Sequence, residues 1–143
     1  MTLRNIGLRK FEVMEVLRLG YWVFMLVMVL IVPITMIVFG RLFSNKAPKD
    51  INHTFGYRTK RSMMNKDTWS FAHAYIGKLW LICGLVLMPI SIVIMVFVLG
   101  KGTDTVGMVG AILTVVQMVL MIGTIIPTEY ALNKNFDKLG RRR

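Results

Sequence analysis

Cysteine is nearly absent from this 143-residue sequence, and charged residues are absent from its long apolar runs. The single cysteine, Cys83, excludes an intrachain disulfide, and no second cysteine provides the spacing of a metal site. Acidic residues are also few, with 7 Asp and Glu against 18 Lys and Arg. Hydrophobic residues make up 55% of the chain and are gathered in blocks, which is untypical of a soluble domain. The composition therefore indicates an integral membrane protein.

Three charge-free runs cover residues 19–40, 79–100 and 105–128. Each exceeds the roughly 20 residues that a helix needs to cross the hydrocarbon core of a bilayer. Helix is the predicted conformation, because an isolated strand in lipid would leave its backbone groups unpaired. The short connection at residues 101–104 predicts an antiparallel hairpin of the second and third spans. The sequence thus predicts an all-α, integral membrane three-helix bundle that forms a single membrane domain over residues 1–143.

Basic residues are distributed unequally between the two predicted sides of the membrane. The side with the N-terminus carries five of the 18, namely Arg4, Arg9, Lys10, Arg18 and Lys101, and the other side carries 13. The positive-inside rule therefore places the N-terminus outside, and the loop (41–78) and C-tail (129–143) in the cytoplasm. We expect these bases to contact anionic lipid headgroups, and we expect no nucleic-acid partner.

Residues 9–18 mix apolar and charged side chains before the first span. Their spacing is compatible with a short interfacial helix, and a disordered lead-in is the equal alternative.

Several residues inside the spans are not ordinary lipid-facing side chains. Pro33 and Pro89 predict bends in the first and second spans, with a hinge as the alternative. Gln117 should face protein, where it either forms an interhelical hydrogen bond or lines a polar cavity.

Small residues recur four apart in the third span. The two pairs are Gly107 with Ala111 and Gly110 with Thr114. This spacing lets helix backbones approach closely, so we expect the face to pack on the second span or on a second subunit in a homodimer.

The loop (41–78) mixes aromatic, basic and helix-capping residues, which predicts an ordered, partly helical, interfacial loop. Asn65 or Asp67 is placed to cap a helix. Four residues then share one helical face: Trp69, Ala72, His73 and Ile76. We expect this helix to lie along the interface and to turn into the second span near Gly77.

The loop also carries residues suited to recognition. Gly56 permits a backbone turn, and Arg58 and Arg61 can bind carboxylates or phosphates through paired donors. Lys78 and Glu129 border the second and third spans on the same side, so they either form an ion pair or extend separately to water.

No constellation typical of catalysis is visible. The sequence offers no nucleophile with a neighbouring base, no carboxylate pair and no phosphate-binding glycine loop. The two histidines, His53 and His73, have no Asp, Glu or Cys at metal-ligand spacing. We therefore expect no catalytic, metal or cofactor-binding residues, no cofactor and no enzymatic activity.

The loop contains a motif that begins with Gly56-Tyr57-Arg58-Thr59 and continues through Ser62-Met63, Asn65, Trp69, Ala72 and Gly77-Lys78. A second stretch, Pro127-Thr128-Glu129-Tyr130, follows the third span. Together these resemble the SdpI-type bacterial immunity proteins over roughly Phe55 to Phe136. Lys60 departs from the frequent proline of that family, and His73 departs from its usual asparagine.

The resemblance implies a multi-pass protein of the bacterial cytoplasmic membrane that protects its cell from a membrane-active toxic peptide. It also implies possible partners, a toxic peptide or a regulator protein, and a signalling role through the cytoplasmic loop. The expected motif and binding residues are Gly56, Tyr57, Arg58, Thr59, Arg61, Ser62, Asn65, Trp69, Gly77 and Lys78. The alternative function is an accessory or scaffold subunit of a larger membrane complex. In that role the small-residue face and the basic loop would be the surfaces on which other subunits dock.

Overall fold

The computed structural model describes residues 3–46, 50–51 and 54–143 of the chain. Within these residues four helices follow in order: α1 (Leu3–Asn45), α2 (Lys66–Phe97), α3 (Thr103–Gly123) and α4 (Ile125–Asn135). The same described ranges contain three segments that are long and apolar enough to cross a membrane, Ile6–Asn45, Lys66–Phe97 and Thr103–Asn135. Among the described residues, the one extended pairing is an isolated bridge between Phe136 and Arg142. The predicted all-α membrane fold is confirmed.

Helix α1 is much longer than the first predicted span. Its 43 residues extend for about 65 Å at 1.5 Å per residue. The segment that precedes the span is helical, but it is part of α1 and not a separate interfacial helix. Every residue from 6 to 20 is exposed, so this end projects beyond the packed part of the bundle.

Helix α2 begins inside the long loop, and Asn65 is its N-cap. The Asn65 side chain accepts a hydrogen bond from the Thr68 N–H, and the Thr68 hydroxyl accepts one from the Asn65 N–H. This reciprocal pair satisfies two backbone donors that the first turn cannot satisfy itself. Of the two predicted caps, the structure selects Asn65 over Asp67.

The predicted turn near Gly77 is wrong, because α2 continues without interruption from Lys66 to Phe97. Gly77 instead allows α2 to approach α1 closely. A Cβ at this position would lie 2.7 Å from the backbone nitrogen of Ser44 and 2.9 Å from Cβ of Phe43. The glycine serves packing between two helices and does not mark the end of one.

The predicted hairpin between the second and third spans is present. Helix α2 ends at Phe97 and α3 begins at Thr103. The backbone reverses at Gly100, whose φ is +77°, whereas Gly102 caps α3 with a φ of −62°. Glycine adopts a φ of +77° without strain, whereas residues with a Cβ do not.

The third predicted span is divided in two. Helix α3 ends at Gly123, and α4 begins at Ile125 after the single residue Thr124. Pro127 explains the division, because its ring would clash with the carbonyl four residues earlier, that of Gly123, in a continuous helix. Proline is tolerated in the first turn of α4, because backbone N–H groups there have no helical acceptor and the absence of one loses no hydrogen bond.

The helices enclose two apolar clusters at opposite ends of the bundle. One contains Val29, Met95 and Val106 near the hairpin, and the other contains Phe43, Ile76 and Leu132 near the long loop. Helix α1 contributes to both clusters and packs against α2 and α3.

Gly107 and Gly110 of the small-residue face contact α1, so the expectation that this face packs on the second span is wrong for these two residues. The position of a Cβ on Gly107 is filled by the Tyr21 hydroxyl, and that on Gly110 by the Met25 side chain. Large side chains of α1 thus occupy the space that the small residues leave.

Candidate functional site

The family-like loop motif folds into a compact segment, residues 55–65, which we name the motif loop. Its second residue is Gly56, whose φ of +114° favours glycine. A Cβ there would overlap Nε2 of His73 and lie 3.2 Å from the Trp69 ring. Backbone conformation and available space therefore both require glycine at this position.

His73 holds the motif loop to α2 through both ring nitrogens. Its Nε2 accepts a hydrogen bond from the Tyr57 N–H at 2.8 Å. Its Nδ1 lies 2.8 Å from the carbonyl oxygen of Trp69, which can only accept. These partners assign the proton to Nδ1 and make the imidazole neutral. His73 is fully buried, and its ring centroid lies 4.2 Å from that of Trp69.

Tyr57 connects the motif loop to α4. Its hydroxyl donates a hydrogen bond of 2.9 Å to a carboxylate oxygen of Glu129. Burial, and then the neighbouring Glu129 carboxylate, raise the pKa of Tyr57 above its ordinary value. Tyr57 therefore remains protonated and keeps its donor at physiological pH.

Glu129 does not form the ion pair considered from the sequence. In the part of the chain that the structure describes, no salt bridge joins it to Lys78. Its partner is the Tyr57 hydroxyl, and Lys78 is exposed. The reason is that the motif loop folds back and places Tyr57 beside α4, which spacing along the chain does not reveal.

A serine fixes the centre of the motif loop. Ser62 is fully buried, and its hydroxyl donates to the Tyr57 carbonyl oxygen at 2.9 Å. The Ser62 hydroxyl oxygen in turn accepts from the Thr59 N–H at 2.8 Å, and the Ser62 N–H donates to the Thr59 hydroxyl at 3.1 Å. Because buried polar groups are costly when unpaired, this network disfavours other conformations of the loop.

The C-terminal segment holds the far end of the motif loop. Arg61 donates to the Asn133 side chain of α4 at 2.9 Å, and the Asn65 amide donates to the Gly140 carbonyl at 2.7 Å. This role of residues 133–140 is not evident from the sequence. The available signal was Asp137 followed by Gly140, a turn pattern that shows a bend without showing what it contacts.

The turn after α4 is stabilised by the side-chain carboxylate of Asp137. One carboxylate oxygen of Asp137 accepts hydrogen bonds from the backbone N–H groups of Arg141 and Leu139, each at 2.8 Å. The Arg141 N–H contributes most to lowering the pKa of Asp137 below its ordinary value. This turn carries Gly140 to the motif loop.

A cleft of about 550 Å³ lies against the motif loop, between the ends of α1, α2, α3 and α4. Its lining is mainly aromatic and aliphatic, with the exposed Arg58 as its charged member. The full lining is Thr35, Phe39, Phe43, Phe55, Gly56, Tyr57, Arg58, Thr59, Ile76, Trp80, Met121, Ile122 and Ile125.

The structure brings together most, but not all, of the residues singled out from the sequence. The assembled group is Gly56, Tyr57, Arg58, Thr59, Arg61, Ser62, Asn65, Trp69 and Glu129, on or beside the motif loop. Gly77 lies in the contact between α1 and α2, and Lys78 is exposed on α2. His53 lies outside the described residues. Within those residues, no group of three His, Cys, Asp or Glu side chains could hold a metal ion.

Gln117 lies away from the motif loop, in the middle of α3. Its amide donates to the Ser91 hydroxyl of α2 at 2.7 Å, and that hydroxyl donates to the Leu87 carbonyl at 2.6 Å. The interhelical hydrogen bond expected from the sequence is confirmed. The amide oxygen of Gln117 is buried and has no partner among the described residues.

Comparison with known proteins agrees with the motif. The model of the SdpI/YfhL protein family matches residues 49–128. The chain is similar to the "Uncharacterized protein YfhL" of Bacillus subtilis (strain 168), with 30% identity over 93 residues, 65% of this chain and 71% of that protein. No solved structure matches the chain. The matched region contains the motif loop, α2 and α3, and on this basis the chain belongs to the SdpI/YfhL family of membrane proteins.

Proposed function

We propose that this chain is a non-enzymatic immunity protein that protects its cell against a membrane-active toxic peptide. The observation that carries the proposal is the state of the family motif in the folded chain. Ser62 bonds the backbone of Tyr57, Tyr57 bonds Glu129 of α4, and Asn65 bonds Gly140 of the C-terminal segment. Such bonds are suited to holding a surface in one shape for recognition, because pre-ordered surfaces lose less entropy on binding.

The proposed topology follows from charge. The N-terminus lies outside, and the motif loop and C-tail lie in the cytoplasm, where 13 of the 18 Lys and Arg residues are found. The hairpin turn between α2 and α3 then faces the exterior, where a secreted peptide arrives. The motif loop faces the interior, where it is available to a regulator protein. In this arrangement Arg58 is the exposed cation of the motif that is best placed to contact a partner.

A toxin-challenge assay tests the proposal. A susceptible bacterial strain expresses the chain and is exposed to a panel of secreted, membrane-active peptides, and survival is compared at equal amounts of protein in the membrane. We expect protection against at least one peptide, its loss in Arg58→Ala, and its retention in Lys60→Ala. Lys60 is the matched control because it is an exposed base of the same loop that lies outside the cleft.

Two results contradict the proposal in different ways. Absence of protection against every peptide, with the protein correctly inserted, removes the immunity function. Full protection by Arg58→Ala leaves immunity in place but removes this arginine from the mechanism.

An accessory or scaffold role is the second candidate, and the exposed N-terminal part of α1 favours it. Phe11 and Val16 are 65% and 70% exposed on a helix that projects from the bundle. A partner subunit that covers this segment would co-purify from native membranes in stoichiometric amount. Recovery of the chain alone would contradict the scaffold role.

A further inference from the structure

The cleft beside the motif loop has the chemistry of a lipid-binding site. Its walls come from the ends of the three charge-free runs, with Phe39 near the end of the first, Trp80 near the start of the second and Ile125 near the end of the third. These ends lie on the side of the membrane that carries the motif loop. The cleft is therefore at the depth where the headgroups of a bilayer meet its acyl chains, the depth that aromatic rings favour.

The aromatic walls are fixed in position. The Phe55 ring of the motif loop packs against those of Phe39 and Phe43, with centroids 5.8 and 5.5 Å apart. The Trp80 ring donates a hydrogen bond of 2.9 Å to the Thr124 hydroxyl. The cleft thus exists before any ligand arrives, which reduces the entropy lost on binding.

The polar groups of the lining are already paired within the chain. The Thr35 hydroxyl donates to the Ile31 carbonyl, the Tyr57 hydroxyl donates to Glu129, and the Thr59 hydroxyl accepts from Ser62. A peptide that entered the cleft in an extended conformation would bury backbone N–H and C=O groups without partners, at a cost of several kcal/mol per group in a medium that cannot hydrogen-bond. An acyl chain has no such groups.

Charge at the cleft selects the headgroup. Arg58 is exposed and lines the cleft, and a guanidinium offers five donors in a planar fork that matches a phosphate. The segments on this side, residues 41–78 and 129–143, carry 13 basic residues against four acidic ones, Asp50, Asp67, Glu129 and Asp137. Such an excess attracts anionic lipid over zwitterionic lipid.

We propose that the cleft binds one acyl chain of an anionic phospholipid, whose phosphate is held by the guanidinium of Arg58. The bound lipid supports the motif loop from the membrane side and ties its conformation to the composition of the leaflet. This proposal does not depend on protection against a toxic peptide, since it concerns a ligand of the membrane itself.

Native mass spectrometry of the full-length chain tests the proposal. The protein is purified in detergent and mixed with equimolar phosphatidylglycerol and phosphatidylcholine that have identical acyl chains. We expect one phosphatidylglycerol per chain, retained about tenfold over phosphatidylcholine, because the choline cation of the latter offsets the phosphate charge that the guanidinium of Arg58 would bind. Glycerol 3-phosphate, a phosphate without acyl chains, should not displace it.

Two pairs of variants separate the headgroup contact from the acyl-chain contact. Arg58→Gln should lose the preference for phosphatidylglycerol, whereas Lys60→Gln, an equal loss of charge outside the cleft, should keep it. Ile125→Trp should fill the cleft and reduce retention of both lipids, whereas Ile126→Trp should not. Ile126 is the adjacent residue, is 75% exposed and does not line the cleft.

Several results would overturn the inference. Equal retention of the two lipids by the wild type, or an unchanged preference in Arg58→Gln, would remove the selection of an anionic headgroup by Arg58. Unchanged retention in Ile125→Trp would show that lipid binds elsewhere on the chain. A co-purified peptide in place of lipid would assign the cleft to a protein partner. Displacement by glycerol 3-phosphate would show a simple phosphate site with no acyl-chain contact.

Discussion

Substitution of Gly56 by alanine tests whether the motif loop is built as described. Two effects oppose a methyl group there: the positive φ of +114°, and the overlap of its Cβ with Nε2 of His73. The overlap would push the ring from the hydrogen bond that it accepts from the Tyr57 N–H.

These two effects set the expected loss in the free energy of unfolding of Gly56→Ala. A non-glycine residue at a strongly positive φ costs about 1–3 kcal/mol. A buried donor and acceptor left unpaired add about 1–3 kcal/mol. We therefore expect Gly56→Ala to lower the free energy of unfolding by about 2–6 kcal/mol.

Gly100→Ala is the matched control. Gly100 also has a positive φ, +77°, but apart from its two chain neighbours no described residue has an atom within 4 Å of the position of its Cβ. It should therefore lose only the backbone contribution, about 1–2 kcal/mol. Reversible unfolding in mixed micelles with increasing sodium dodecyl sulfate measures both variants. Equal losses at the two positions would refute the packing of Gly56 on His73.

Three smaller perturbations test individual contacts. Tyr57→Phe removes the donor to Glu129 and should cost about 1–3 kcal/mol in the same unfolding assay; Glu129→Gln keeps an acceptor and should cost less, so the reverse order would contradict the contact. Gln117→Leu should change stability by less than about 1 kcal/mol, because interhelical hydrogen bonds in membranes average about 0.6 kcal/mol and the amide oxygen has no partner; a loss similar to that of Tyr57→Phe would refute this. The pKa of Asp137 is lowered, so its carboxylate stabilises the C-terminal turn at pH values above the ordinary 3.8, and this stabilisation is lost as the pH falls through the lowered pKa. Carboxyl NMR titration should show a midpoint below 3.8. A midpoint at or above 3.8 would contradict the turn geometry.

The membrane-crossing helices and the hairpin could be predicted because each depends on local composition. A charge-free run of sufficient length specifies a helix in lipid without reference to its neighbours. The cap at Asn65 was also predictable, because capping involves residues three apart in the chain.

Helix ends were harder to place, because competing local effects decide them. Charge marks where a span leaves the hydrocarbon, but it does not end a helix, so α2 begins at Lys66 although the apolar run begins at residue 79. The division at Thr124 follows from the steric effect of Pro127 four residues after Gly123. An apolar run that includes a proline hides such a break.

Tertiary partners could not be read from spacing. The contacts of Tyr57 with Glu129, of Arg61 with Asn133 and of Asn65 with Gly140 each span more than 70 residues of sequence. The motif predicted that these loop residues act together, but the elements that hold them follow from how α4 folds back on the loop. The cleft arises from the same arrangement, since its walls come from segments far apart in the chain.

Cysteine labelling in intact cells tests most directly the central claim, that the chain crosses the membrane three times with the motif loop and C-tail on the same side. In a Cys83→Ala background, which has no other cysteine, single cysteines are placed by Lys60→Cys, Lys101→Cys and Lys138→Cys. These three lysines are exposed in the motif loop, the hairpin turn and the C-tail. A membrane-impermeant maleimide should label position 101 in intact cells, and positions 60 and 138 only after permeabilisation. Labelling of positions 60 and 138 from opposite sides of the membrane would contradict the account.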